Sequence, residues 1–220
     1  MSAFLGPIHH WLFKKIKLHE DLEKNLLSRY EEIFGGEILK IKEKAETKYG
    51  SPMENKPLDQ MIDTGNIHGW LQSKITTAET RQAAILTGIF QQYGNKALEI
   101  ALEEYKKQGK ESGLDACNNV QVDSAPAIYK ALNNYLLDGM PCDNVNNITI
   151  AEPDLLQWKN IHCLHRGYWE TVGANPDTFY QLRSAWIASF VENANEHYLY
   201  TVKTETSNGN PVFVHEIQFK

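Results

Sequence analysis

The chain has 220 residues, 42% of them apolar, enough to bury a core as one domain or two closely packed ones. Its net charge is −6 with acidic and basic residues interspersed, so a nucleic-acid partner lacks electrostatic support; the one basic cluster, Lys14, Lys15 and Lys17, sits among apolar residues at helical spacing. No apolar run approaches the ~20 residues that cross a bilayer, residues 1–13 carry no secretory pattern, and the three cysteines (Cys117, Cys142, Cys163) form no CxxC pair, so a cytoplasmic protein with reduced thiols is expected.

In chain order the first feature is a repeat. Residues 6–50 recur as 65–109 without a gap, with fourteen identities in forty-five positions, where chance gives roughly three. Gly6, Ile8, His9, Trp11, Leu12, Lys15, Ile16 and Glu20 return as Gly65, Ile67, His68, Trp70, Leu71, Lys74, Ile75 and Glu79. Each copy reads as a helix, a glycine break and a second helix: 9–34 and 37–49 in the first, 67–93 and 96–110 in the second. Pro7 suits a first helical turn, Gly35-Gly36 a helix end, and residues 51–57 a linker. The expectation is an antiparallel bundle of four helices packed about a pseudo-symmetry axis.

Composition changes after Gly113. A helix is predicted over 124–137, capped by Ser124 and stopped by Asp138-Gly139, then a polar loop over 140–147. Short strands follow at 148–151 and 155–158, and helices at 167–172 and 177–193. The strongest β signal comes last: Tyr198, Tyr200 and Val202, then Phe213, Ile217 and Phe219, alternate around Asn208-Gly209, a favoured hairpin turn. That turn puts His215 on the inward face with Phe213, Ile217 and Phe219. The fold class is therefore α+β, mainly α: a duplicated helical-hairpin bundle over 1–113, then a small α+β unit over 114–220 ending in a β-hairpin, packed as one compact body.

Two constellations carry possible chemistry. On a helix His9 and Glu20 share a face, as do His68 and Glu79, but each pair is separated by about 16 Å along the axis. Antiparallel long helices would bring His9 to Glu79 and His68 to Glu20, either as metal ligands or as buried hydrogen-bonded pairs that set register; the Glu-x-x-His motif of di-metal bundles is missing. His10 and His19 have no counterpart in the second copy and read as solvent-facing, and Trp11 and Trp70 as core packing. The second constellation is His162-Cys163-Leu164-His165, followed by Arg166, Tyr168, Trp169 and Glu170. A thiol between imidazoles has the makings of an activated nucleophile, with His215 as a distant partner; a buried inert cysteine and a weak metal site are the alternatives. Cys142 sits in a loop, reactive or incidental. No phosphate-cradling, nucleophile-elbow or HExxH pattern occurs.

From Tyr93 onward the chain resembles the L-2-amino-thiazoline-4-carboxylic acid hydrolase-like family. The segments carrying the likeness are Tyr93-Gly94-Asn95-Lys96-Ala97-Leu98, Ala101 to Tyr105 through Gly109 and Gly113, Cys163 to Gly173, and Gly209 to Phe219. Where that family ends in Cys-Asp-aromatic-x-Phe, this chain has His215-Glu216-Ile217-Gln218-Phe219. The resemblance implies a small-molecule hydrolase acting on a non-peptide C–N bond of a cyclic amidine and giving an N-carbamoyl product. Cys163 would be the nucleophile, His165 or His215 the proton shuttle, and Arg166, with Tyr168 and Trp169, the substrate's holder; a water route with His215 as base fits equally. The other reading is a non-enzymatic small-molecule or metal-binding protein with its pocket between bundle and sheet. No cofactor is named by the sequence.

Overall fold

A computed structural model describes residues 5–140, 143, 145–160, 163–207 and 210–220. The first helix, α1 (Pro7–Phe34), begins at a proline whose missing amide costs no helical bond and ends at Gly35, φ 79°, whose N–H caps Glu31 O. Its buried face is Leu12, Ile16, Glu20, Glu23, Leu26 and Tyr30, three or four residues apart as a helix requires. The second helix, α2 (Glu37–Tyr49), ends at Gly50, φ 98°. A linker with a 3-10 turn at Leu58–Gln60 leads to α3 (Ile67–Asn119), which is kinked at Gly94, φ 60° and ψ −142°. Gly35 and Gly94 stand fifty-nine apart, and both take a backbone conformation that glycine adopts without strain.

The two long helices run parallel, which excludes the antiparallel long-helix pairing that would bring His9 to Glu79 and His68 to Glu20. Along α1 and α3 the partners advance together: His9 meets His68, Glu23 meets Arg81, and Phe34 stacks on Tyr93 with ring centroids 4.0 Å apart. Against α3, α2 runs the other way, with Ile41 beside Gly88 and Gly50 beside Thr77. The reason is the return path. With 13 residues, α2 spans about 20 Å against about 42 Å for α1, and the linker covers the rest, setting α3 down beside the start of α1. Adjacent long helices joined directly would be antiparallel; a return helix between them makes them parallel.

The remaining elements are α4 (Ala125–Leu132), β1 (Asn146–Glu152), β2 (Leu155–Asn160), α5 (Arg166–Thr171), α6 (Pro176–Ala194), β3 (Tyr198–Ser207) and β4 (Asn210–Phe219). Six α-helices and one antiparallel four-stranded sheet thus make up the described chain, an α+β fold that is mainly α. Second-copy helix 96–110 extends to Asn119, and 124–137 shortens to α4, which Ser124 caps by accepting from the Ala127 N–H. None of the described helices is long and apolar enough to cross a membrane.

The residues group into two units: Met1–Ala101 with His165–Pro176, and Leu102–Leu164 with Asp177–Lys220. In the second, the sheet order is β1-β2-β4-β3. Leu156 pairs with Ile217 and Trp158 with His215, while Tyr200 and Val202 complete those rows from β3. His215 and Ile217 are buried on that face as expected, but Phe219, 52% exposed, is not. Ser207 pairs with Asn210, and Asn208-Gly209 between them lie outside the described residues. Tyr129 of α4 packs on Trp158, and Tyr180 of α6 on Phe213.

The later part of α3 lies against α6 through glycines. A Cβ on Gly109 would sit 2.3 Å from the Trp186 carbonyl oxygen, and one on Gly113 2.4 Å from that of Phe190. Helix propensity alone favours Gly109→Ala by ~1 kcal/mol, whereas overpacking against backbone costs about 1–3 kcal/mol. Gly109→Ala is therefore expected to lower stability in urea denaturation by ~1 kcal/mol or more. Gly167→Ala, in α5 with nothing within 4 Å, should be neutral or stabilising. Equal behaviour of the two variants would contradict the close helix approach.

Candidate functional site

The first unit buries a charge cluster on its helix seam. Arg81 of α3 is 0% exposed. Its Nε donates to both Glu23 oxygens at 2.9 and 3.1 Å, one terminal nitrogen donates to Glu20 at 3.2 Å, and the other to the Gly50 carbonyl at 3.3 Å. Glu20 also accepts the Met53 N–H at 2.9 Å. Two carboxylates thus share one guanidinium. Burial outweighs the Arg81 pull on Glu23 and raises its pKa to about 7.

Beside this cluster, Glu79 makes a different pair. Its carboxylate lies 2.9 Å from His165 Nδ1, both groups buried, and Trp169 stacks on the imidazole with centroids 5.6 Å apart. His165 precedes α5, and Gln72 of α3 donates to the Tyr168 hydroxyl at 3.2 Å, so α5 is pinned to α3 at two points. Arg166 points its charge at Glu170, one turn along α5, in an exposed pair at 2.7 Å. His19, expected to face solvent, instead has its Nε2 buried with no hydrogen-bond partner. Burial chiefly, with Arg81 and His165 against the opposing pull of Glu79 and Glu20, lowers its pKa.

The four metal candidates do not assemble as a set. His9 Nε2 lies 3.4 Å from His68 Nε2, Glu20 is held by Arg81, and Glu79 by His165. Parallel helices bring equivalent residues level, so His meets His rather than Glu. Partial desolvation first, then His68 and His10, lower the His9 pKa. Among the described residues no group of three or more His, Cys, Asp or Glu is placed to hold a metal ion. Trp11 and Trp70 are half-buried, with Lys15 Nζ 3.8 Å and Lys74 Nζ 5.2 Å from the respective ring centroids.

The second unit contains a cavity of mixed polar and apolar lining, walled by α4, α6, the sheet and the segment after α4. His215, Trp158, Asn160, Tyr129, Arg183 and Asp138 are among its walls. It has ≈ 10 Å³ of room for water-sized centres, about one water molecule, inside a void of ≈ 280 Å³ that includes its open mouth. Arg183 donates to Asp138 at 2.5 Å. His215 stacks on Trp158, its Nδ1 2.7 Å from the Tyr200 hydroxyl and its Nε2 against Asn160 Oδ1. Asn160 in turn donates to Asn146 at 2.6 Å. With Nε2–H donating to Asn160, Nδ1 accepts the Tyr200 proton, which defines a neutral ring. Burial first, then the Arg183 charge, lower the His215 pKa to about 4, while burial raises that of Tyr200.

His215 therefore commits both nitrogens to Tyr200 and Asn160, and Cys163, half-buried and in no disulfide, is not among the described residues that line the cavity. His162 and Cys142 lie outside the described residues. Sequence reading passed over Arg81, Glu23, Arg183, Asp138, Asn160 and Tyr200. A signal was present for some of them. Glu23 and Arg81 are charges on otherwise apolar helical stripes, and Arg183 stands between Leu182 and Trp186, both buried. No family model, curated protein or solved structure matches the chain.

The two buried titrations predict opposite pH dependences. Glu23, raised from 4.5 to about 7, binds its proton more tightly when folded, so its contribution is full below 4.5 and lost as pH rises to 7. His215, lowered from 6.5 to about 4, contributes above 6.5 and loses that contribution as pH falls to 4. From pH 5 to 8, Glu23→Gln should gain stability relative to wild type by roughly 2–3 kcal/mol in urea denaturation. His215→Gln should gain relative to wild type as pH falls from 6.5 to 4. Differences that stay flat with pH would refute these assignments.

Proposed function

We propose that this is a cytoplasmic protein that works on a small zwitterionic molecule, rather than on nucleic acid or a membrane, and that the cavity of the second unit receives it. One observation carries the reading: Arg183 and Asp138 stand side by side on the wall of a solvent-open cavity. A ligand bearing a carboxylate and an amidinium or ammonium can match both charges at once, carboxylate to Arg183 and cationic nitrogen to Asp138. Asn160 and Tyr129 supply polar contacts, and a neutral His215 adds no competing charge. With room for about one water molecule in its depth, the cavity takes only the charged end of such a ligand, and the rest lies in the open mouth. A carboxylated cyclic amidine, the substrate class implied by the family resemblance, has these features.

Hydrolysis of a non-peptide C–N bond is a second reading, favoured by the Glu79–His165 pair of the first unit. A carboxylate accepting Nδ1–H fixes the tautomer and makes Nε2 the basic nitrogen, the usual arrangement of an oriented general base. His215 suits that role less, since its nitrogens are engaged and its pKa lies far below neutral.

The test uses 2-amino-thiazoline-4-carboxylate as the zwitterionic probe, with thiazole-4-carboxylate and 2-aminothiazoline as its anion-only and cation-only counterparts. Calorimetry should give saturable binding of the zwitterion, weakened at least tenfold in Arg183→Met and in Asp138→Asn. Equal binding of either single-charge counterpart, or no binding, would refute the site. In parallel, mass spectrometry should follow an N-carbamoyl product. Turnover that falls at least a hundredfold in His165→Asn, survives Cys163→Ser and is unchanged in Arg183→Met would support hydrolysis by His165-activated water in the first unit, separate from the cavity. Binding without product leaves a binding protein.

A further inference from the structure

We propose that His9 and His68 form a two-histidine site for a divalent transition-metal ion, joining the starts of α1 and α3. The Nε2 atoms are 3.4 Å apart and the ring centroids 5.5 Å, so each ring turns this nitrogen toward the other. For an N–H donor 3.4 Å is long, since such bonds cluster near 2.9–3.0 Å. It is, however, the spacing of two ligands on one tetrahedral ion: nitrogens about 2.0–2.1 Å from zinc lie about 3.3 Å from each other. Two imidazoles set at ligand spacing by the backbone need little rearrangement to bind.

The helices fix that spacing. His9 lies in the first turns of α1 and His68 at the second residue of α3, and the parallel seam holds these starts level through Leu12, Ile16, Leu71 and Ile75, all buried. His68 is exposed and His9 half-buried, so an ion reaches both from solvent and keeps water in its remaining positions. Imidazole nitrogens select Cu²⁺, Ni²⁺ and Zn²⁺ over Mg²⁺ and Ca²⁺. One internal contact changes on binding. His9 Nδ1 now accepts the Gly6 N–H at 3.0 Å; with Nε2 on the ion, Nδ1 carries the proton and that contact is released.

Zn²⁺ and Ni²⁺ are titrated into the full chain in chelator-free buffer, followed by calorimetry and thermal melting, with Cu²⁺ electron paramagnetic resonance as the ligand count. The expected result is one strong site per chain, at least tenfold weaker in His9→Ala and in His68→Ala and within twofold of wild type in His10→Ala. The copper spectrum should pass from two coupled nitrogens to one in His9→Ala and in His68→Ala, and the melting temperature should rise with Zn²⁺ in wild type and His10→Ala but in neither of those two variants. Neither residue belongs to the buried core, and circular dichroism confirms that the variants fold. Affinity that survives either substitution, or falls equally in His10→Ala, would overturn the site.

Discussion

A guanidinium cannot shed its proton inside a protein, so a fully buried arginine must find its counter-charges where it lies. Arg81 does so with three groups from two segments: Glu20 and Glu23 on α1, and the carbonyl that ends α2. Sliding α3 one turn along α1, about 5.4 Å, would leave that charge without partners in an apolar seam. The cluster thus selects one register and one sense for the helix pair. Other contacts of the first unit agree with that choice, from His9 against His68 at one end to the Tyr30 hydroxyl on the Ala97 carbonyl at the other. A buried ion cluster of this kind contributes specificity more than net stability, because desolvating three charges offsets much of their attraction.

The second unit solves a different problem by removing side chains. Gly109 and Gly113, one helical turn apart, let α3 approach the α6 backbone, and the Trp186 indole donates to Gln108 at 3.0 Å in the same layer. Seated there, α6 contributes Arg183 and Ile187 to the cavity, while β2 and β4 bring Trp158, Asn160 and His215. The antiparallel register puts Trp158 opposite His215, so the stacked pair follows from strand pairing rather than from any local motif. A neutral imidazole against an indole face then becomes an apolar wall with two polar edges, each already satisfied.

What sequence made legible was periodicity. The helices of α1, α2 and α6, the strands of the sheet and the inward direction of His215 all follow from spacing and turn residues, which are local properties. Helix sense did not follow, because it depends on how α2 and the linker return the chain, a matter of path length rather than pattern. The ion cluster was half visible: Glu20 stands out because it recurs as Glu79, but Glu23 and Arg81 do not recur and carry no such signal. The Arg183–Asp138 pair spans forty-five residues, and no spacing rule foretells such a contact. Cys163 shows the converse. Flanking histidines in sequence suggested an activated thiol, yet His215 spends its nitrogens elsewhere and His165 engages Glu79.

Residues fifty-nine apart show how one position takes on different work. Gly50 ends a helix with a positive φ, whereas Gly109, its counterpart, lies inside a helix and serves as a point of close approach. Glu20 and Glu79 are both buried on the seam, but the first answers a permanent cation and the second a titratable ring. Arg81 falls where the first copy has Leu22, so only one side of the pair acquires a guanidinium, and the other carboxylate is left for a segment from far along the chain. His165 arrives there on α5. The asymmetry at residues 22 and 81 thus sets the two carboxylates apart: Glu20 accepts from Arg81, Lys17 and the Met53 N–H, whereas Glu79 meets the His165 imidazole.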